Sequence, residues 1–250
     1  MRSIGFVKAL RITFAVIFLL PILVLSPIYV FFIVYLLEVV GKEKAAQNHL
    51  RRSGSFTGSA ILFFLGVKLV VTGRENLPET REGICYMGNH QSMLDIAAFV
   101  GPAKLWGSIM AKVEVKKIPI INLWCKAMKI IFIDRKSPHD SIRAIFTGVE
   151  HLKNGGNLLI FPEGTRSKTG KIGELKAGSI KLATRSRATI VPFAIKNLRP
   201  GFEGITNFRR VHAHMAIGKP IETKDLSKEE LDGLHEVVYG VITDLFDQLP

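Results

Sequence analysis

Hydrophobic and polar positions follow one pattern before residue 66 and another after it. Residues 12–37 form a run of 26 without one Asp, Glu, Lys or Arg. Coiled as a helix at ~1.5 Å per residue, the run is about 39 Å long, more than the ~30 Å hydrocarbon core of a bilayer. It ends too late, and without a small-residue cleavage site, to be a secretory signal. Pro21 and Pro27 lie inside it, and each is expected to remove a helix hydrogen bond and to interrupt or kink the segment. A second apolar stretch, Phe56 to Val71, contains Gly58, Gly66 and Lys68 and suits spanning poorly. Residues 1–66 therefore read as N-terminal hydrophobic, membrane-anchoring helices. The basic flanks nearly balance, with Arg2, Lys8 and Arg11 before the run and Lys42, Lys44, Arg51 and Arg52 after it. Counting positive charge thus assigns no orientation. A single span, and two kinked or antiparallel helices dipping into one leaflet, both stay open.

From residue 67 the pattern shortens. Apolar runs that read as strands are Val67–Thr72, Ile84–Met87, Ser108–Ala111, Ile130–Asp134, Leu158–Phe161, Ile190–Ile195 and Val211–Ile217. Amphipathic stretches between them, Met93–Val100, Ile118–Met128, Asp140–Leu152 and Leu175–Arg185, read as helices. Such alternation predicts an α/β domain over 67–250: a mixed, largely parallel sheet flanked by helices. A last helix is expected from Ser227 to Leu249, opening on Ser227 and Glu230 in a capping-box pattern.

Charge sharpens this division. The chain carries +13 overall, yet its mean hydropathy is positive, at +0.26. Residues 71–220 hold 24 Lys and Arg against 11 Asp and Glu, whereas 221–250 hold 2 against 8. The positive field therefore belongs to the middle of the chain and points to phosphate-bearing partners. The anchor favours lipid over nucleic acid. Two cysteines exclude a disulfide framework, and 48% apolar residues exclude a disordered chain.

Polar clusters follow four of the expected strands, at the C-terminal ends where open α/β sheets place their sites. After Ile84–Met87 comes Gly88-Asn89-His90-Gln91-Ser92-Met93-Leu94-Asp95. On one continuous helix, residues five apart diverge by about 140°. His90 and Asp95 can meet only if His90 sits in the turn before a helix and Asp95 in its first turns. Asp95 would then accept from Nδ1–H and leave Nε2 as a base. By spacing alone, His90 reads rather as a structural histidine capping a turn. After Leu158–Phe161 comes Pro162-Glu163-Gly164-Thr165-Arg166-Ser167, in which Gly164 permits positive φ and Arg166 offers a planar fork for phosphate. A local Glu163–Arg166 ion pair is the plain alternative. Asp134-Arg135-Lys136 and Ala111-Lys112-Val113-Glu114 end two further strands. Scattered surface charge seldom supplies His, Asp, Arg, Glu and Lys at four strand ends together. Other constellations fail: the Gly164–Lys171 segment lacks P-loop spacing and its hydroxyl residue, and no G-x-S-x-G elbow or zinc spacing occurs. His212 and His214 read as structural histidines, and Cys85 and Cys125 as buried thiols.

Asn89–Asp95 (N-H-Q-S-M-L-D), Ile131–Arg135 (I-F-I-D-R), Phe161–Ser167 (F-P-E-G-T-R-S) and Ile190–Ile195 (I-V-P-F-A-I) occur in this order. Together they resemble the four motifs of the glycerolipid acyltransferase family, over roughly residues 67–220. Asn122 departs from that pattern, standing where many members have Gly. The likeness is greatest to members that acylate 1-acyl-sn-glycerol 3-phosphate. It implies acyl transfer from acyl-CoA or acyl carrier protein, as co-substrate, to the sn-2 hydroxyl of lysophosphatidic acid, with no resident cofactor or metal. It also implies His90 as general base and Asp95 as its orienting partner, with Arg135, Glu163, Gly164, Thr165 and Arg166 as acceptor-binding positions. Lys112, or backbone N–H groups after the turn, would face the tetrahedral oxyanion. The location implied is a bacterial inner membrane, with the α/β domain on its cytoplasmic side. Two alternatives remain at this point: another acceptor, such as glycerol 3-phosphate or a different lysolipid, and a non-catalytic basic membrane-binding module.

Overall fold

The computed structural model describes residues 2–203 and 210–250. Strands β1 (Val67–Thr72), β2 (Ile84–Gly88), β3 (Ser108–Lys112), β4 (Ile131–Ile133), β5 (Leu158–Ile160), β6 (Thr189–Lys196) and β7 (Val211–Ile217) build one sheet, in the order β1-β7-β6-β2-β5-β3-β4. The β6–β7 pair is antiparallel and every other pair is parallel. One consequence positions the site. β2, β5, β3 and β4 are consecutive and parallel, so the four polar clusters that follow them emerge along one edge of the sheet.

Side-chain alternation explains how the sheet is covered. Tyr86 on β2 and Val191, Phe193 and Ile195 on β6 point to one face, where they bury with Phe99 and Leu105. Cys85, Met87, Leu158, Ile160 and Ile190 point to the other, against Leu182, Val238 and Ile242. Each such aliphatic or aromatic side chain contributes ~1.5–3 kcal/mol by leaving water. The helices of this domain are α3 (Asp95–Val100), α4 (Pro119–Ala127), α5 (Pro138–Lys153), α6 (Ala177–Ser186), α7 (Lys228–Asp232) and α8 (Leu234–Gln248). α5 starts two residues before the expected boundary because Ser137 caps it, accepting from Asp140 N–H at 3.2 Å, with Pro138 next to the cap. The expected final helix divides at Gly233, while Ser227 and Glu230 form the full capping box at its start. Asn122 lies within α4, its N–H bonded to Ile118 O at 2.8 Å, so no separate turn exists there.

Two helices precede the sheet, α1 (Arg2–Val39) and α2 (Glu43–Phe64). Contrary to expectation, Pro21 and Pro27 do not interrupt α1. Each proline forfeits its own N–H bond, and the turns around it keep theirs. The chain reverses at Gly41 (φ 72°). α1 and α2 run antiparallel, with Phe18 stacked on Phe64, Phe14 tilted beside it, and the Tyr29 ring 5.4 Å from His49. The apolar stretch Phe56–Val71 is two elements: α2 ends at Phe64, and β1 begins at Val67. α2 meets α3 backbone to backbone. A Cβ on Gly58 would lie 2.6 Å from Ala97 O, and one on Gly101 would lie 2.6 Å from Ser59 N.

Candidate active site

β2 ends in a turn whose amides are all accounted for. Asn89, fully buried, prolongs the strand with its side chain: Nδ2 donates to Ile195 O at 2.8 Å and Oδ1 accepts from Ile195 N–H at 2.7 Å. The next five backbone N–H groups each donate to a side-chain oxygen. His90 N–H goes to Glu163 Oε1 (2.7 Å), and Gln91 and Ser92 N–H go to Asp95 Oδ2 (2.7 and 2.9 Å). Met93 N–H goes to Glu203 Oε1 (2.9 Å), and Leu94 N–H to Ser92 Oγ (3.1 Å). Residues 93 and 94 thus stay out of α3, and Asp95 becomes its first helical residue.

This turn brings the imidazole to the carboxylate. His90 Nδ1 lies 2.6 Å from Asp95 Oδ2, with Asp95 fully buried and the His90 side chain 20% exposed. With Asp95 accepting, Nδ1 carries the proton and Nε2 keeps a free lone pair. The other atom of that carboxylate, Oδ1, is buried without a partner among the described residues. Phe161 stacks on the imidazole at 4.1 Å between ring centroids and 12° between planes, which fixes the ring's tilt.

The Phe161–Ser167 turn is stitched to the histidine turn. Ser167 N–H donates to His90 O at 2.7 Å, and Gln91 Nε2 donates to Gly170 O at 2.9 Å. Gly164 takes φ 69°, and a Cβ there would meet Lys176 Cε at 3.0 Å, so glycine suits both backbone and space. Glu163 is buried and does not pair with Arg166. Its Oε1 holds His90 N–H, and its Oε2 accepts from Gly173 N–H at 2.9 Å. Burial pushes this carboxyl above its ordinary range, outweighing the two amide donors and the pull of His90. The geometry makes Glu163 a brace for the histidine turn.

The cations distribute unevenly. Arg135, just past β4, donates through Nη1 to Gly164 O. Arg166 instead pairs with Glu203, Nη1 to Oε1 at 3.0 Å, and Thr165 is exposed between Gly164 and Arg166. Both arginines are therefore tied to the two turns carrying the His90 site. Lys112 is exposed and paired with Glu114 at 2.7 Å. Among the described residues no hydrogen bond or ion pair joins it to His90, Asp95 or either arginine. The amides of residues 90–94 all end on side-chain oxygens, so these five are already engaged in holding the turn. His212 and His214 lie on β7 opposite Lys68 and Val70 of β1, on the other side of β6 from the site. Cys85 and Cys125 are free and buried; burial pushes the Cys125 thiol up to about 11 and raises that of Cys85 too.

Three residues of this arrangement escaped the sequence reading. Asn89 and Phe161 lie inside the quoted motifs, but nothing in their spacing announces a strand-extending amide or a stacking ring. Glu203 lies 111 residues from the Ser92 hydroxyl it binds, and no local pattern marks it.

Known acyltransferases resemble this chain in sequence and in fold. The chain is 29% identical over 178 residues to the 1-acyl-sn-glycerol-3-phosphate acyltransferase of Borreliella burgdorferi, which covers 71% of each chain. It is 34% identical over 158 residues to the chloroplastic 1-acyl-sn-glycerol-3-phosphate acyltransferase LPAT1 of Arabidopsis thaliana, covering 62% of this chain and 44% of that one. The crystal structure of the 1-acyl-sn-glycerophosphate acyltransferase PlsC from Thermotoga maritima superposes with a TM-score of 0.73 at 28% identity, covering 98% of this chain and 95% of that one. A family model, Acyltransferase, matches residues 68–196, which include the His90 turn, Arg135 and the Phe161–Ser167 turn. The chain belongs to this acyltransferase family.

Proposed function

We propose that this enzyme transfers an acyl chain from a thioester, acyl-CoA or acyl carrier protein, to the sn-2 hydroxyl of 1-acyl-sn-glycerol 3-phosphate, giving phosphatidic acid. His90 Nε2 removes the hydroxyl proton as the oxygen attacks the thioester carbon. The C–S bond then breaks, and the proton on the imidazolium passes to the departing thiolate. Asp95 holds Nδ1–H throughout and stabilises the imidazolium. No covalent acyl-enzyme is needed, because a thioester is already activated and the enzyme's work is positioning and deprotonation.

Arg135 and Arg166 hold the acceptor phosphate by charge-assisted hydrogen bonds. Glu163, Gly164 and Thr165 shape the turn between them. Lys112 would reach an oxyanion only by leaving Glu114. The exposed apolar faces of α1 and α2, including Leu25, Phe32 and Phe63, anchor the enzyme where its lipid acceptor resides. Val16–Val39 of α1 is long and apolar enough to cross a membrane.

The observation that carries this reading is the 2.6 Å His90–Asp95 contact at the strand edge where both arginine-bearing turns converge. It is tested by thiol release from acyl-CoA with the purified full chain in lipid vesicles. Lysophosphatidic acid should drive release far better than glycerol 3-phosphate or monoacylglycerol. Arg135→Ala and Arg166→Ala should raise KM for lysophosphatidic acid by about tenfold or more and leave that for monoacylglycerol nearly unchanged. Equal effects on both acceptors would remove the phosphate role of these arginines.

A further inference from the structure

The acyl-transfer chemistry leaves one ionised group at the site without a task. Glu203 sits where the chain returns after β6, and its carboxylate bridges two elements. Oε2 accepts from Ser92 Oγ at 2.7 Å, while Oε1 accepts from both Met93 N–H at 2.9 Å and Arg166 Nη1 at 3.0 Å. Ser92 is fully buried, the Glu203 side chain is 20% exposed and that of Arg166 is 43% exposed. Among the described residues, the Arg166 side chain makes its hydrogen bond through Nη1 alone. Its Nη2 and Nε edge is left to a ligand, and that edge is the one that binds oxyanions bidentately.

We propose that Glu203 is a positioning and specificity-determining residue: it fixes Arg166 to the His90 turn and so sets the span between the acceptor's phosphate and the hydroxyl to be deprotonated. This rests on the reading of Arg166 as a phosphate ligand. Arg166 hangs from an exposed loop, and a free guanidinium there loses rotamer entropy each time it binds. Held at one end by a carboxylate that also holds Met93 N–H, it moves with the turn that carries the base. A phosphate on the free edge then sits at a set distance from Nε2. Lipids with a phosphate at that distance from the hydroxyl gain both in binding and in alignment. Uncharged acceptors gain nothing from the link. Burial opposes ionisation of Glu203, but the donors from Met93, Ser92, its own backbone and Arg166 outweigh burial and hold the carboxyl below its ordinary range.

The test measures kcat/KM of the full chain in vesicles for lysophosphatidic acid and for monoacylglycerol, in Glu203→Ala, Glu203→Gln, Arg166→Ala and Glu203→Ala/Arg166→Ala. Glu203→Ala should reduce the preference for the phosphate-bearing acceptor by about 3- to 10-fold, as expected for a partly exposed charged link. Glu203→Gln, which keeps an acceptor oxygen for Arg166 and Met93, should recover part of that preference. In the Arg166→Ala background, Glu203→Ala should change the preference no further. A merely structural brace would lower both acceptors equally, and that result would overturn the proposal. So would an additive double variant. Arg166→Ala without selective loss of lysophosphatidic acid would instead strike at the phosphate site itself. A selective loss in Arg166→Ala with none in Glu203→Ala would leave that site standing and defeat the role of Glu203 alone.

Discussion

Between Asn89 and Asp95 the chain has left the sheet and not yet entered a helix, so its amides need partners from elsewhere. Carboxylates supply most of them: Glu163, Asp95 and Glu203 take four of the five, with Ser92 Oγ taking the last. The residue scale therefore carries a pH signature. The Glu203 carboxyl is lower folded than unfolded, so its contacts add stability above the ordinary carboxylate value of about 4.3, and that contribution is lost as pH falls through the folded value. Melting temperature against pH should fall more steeply on acidification in the wild-type chain than in Glu203→Gln. Parallel curves would show that Glu203 gains nothing from its partners. The His90–Asp95 contact was legible only in part: five-residue spacing lets the two side chains meet just across a turn before a helix, and the family resemblance, not the spacing, implied that they do. The Glu203 bridge was not, because a hydrogen bond across 111 residues leaves no trace in spacing. The Glu163–Arg166 pairing suggested by sequence proximity lost to burial, which turns Glu163 inward toward two amides.

At the scale of elements, each expected strand formed, because runs of apolar residues at two-residue period leave few alternatives in a buried sheet. The interior departures are local: a proline-bearing helix that runs on, and a final helix divided at Gly233. The packing of α2 on α3 was not legible, although it joins the N-terminal hairpin to the helix that starts with Asp95. It depends on glycines at a close approach, and that is visible only in three dimensions. Two glycine substitutions separate packing from propensity. Gly58→Ala places a methyl 2.6 Å from Ala97 O and should lower the melting temperature. Gly240→Ala in α8 meets nothing within 4 Å and should raise stability by about 1 kcal/mol. Calorimetry giving the same sign for both would contradict the close approach.

On the scale of the whole molecule, the contradiction between positive mean hydropathy and a charge of +13 resolves by position. The apolar excess lies on the outer faces of the hairpin, where Leu20, Leu25, Phe32, Phe56 and Phe63 are exposed. Basic side chains gather around the parallel half of the sheet, at the ends of β3, β4 and β5. Exposed apolar surface and basic strand ends thus belong to different elements of one molecule. The hairpin's antiparallel course is one of the arrangements that the balanced flank charges left open in the sequence. The proposed chemistry turns on a proton passing from the acceptor hydroxyl to His90. The most direct measurement is kcat for thiol release from acyl-CoA by vesicle-bound His90→Ala, with saturating lysophosphatidic acid. A fall of about 10²–10⁴ relative to wild type, with the melting temperature preserved, is the result predicted for a general base; turnover near the wild-type rate would contradict it.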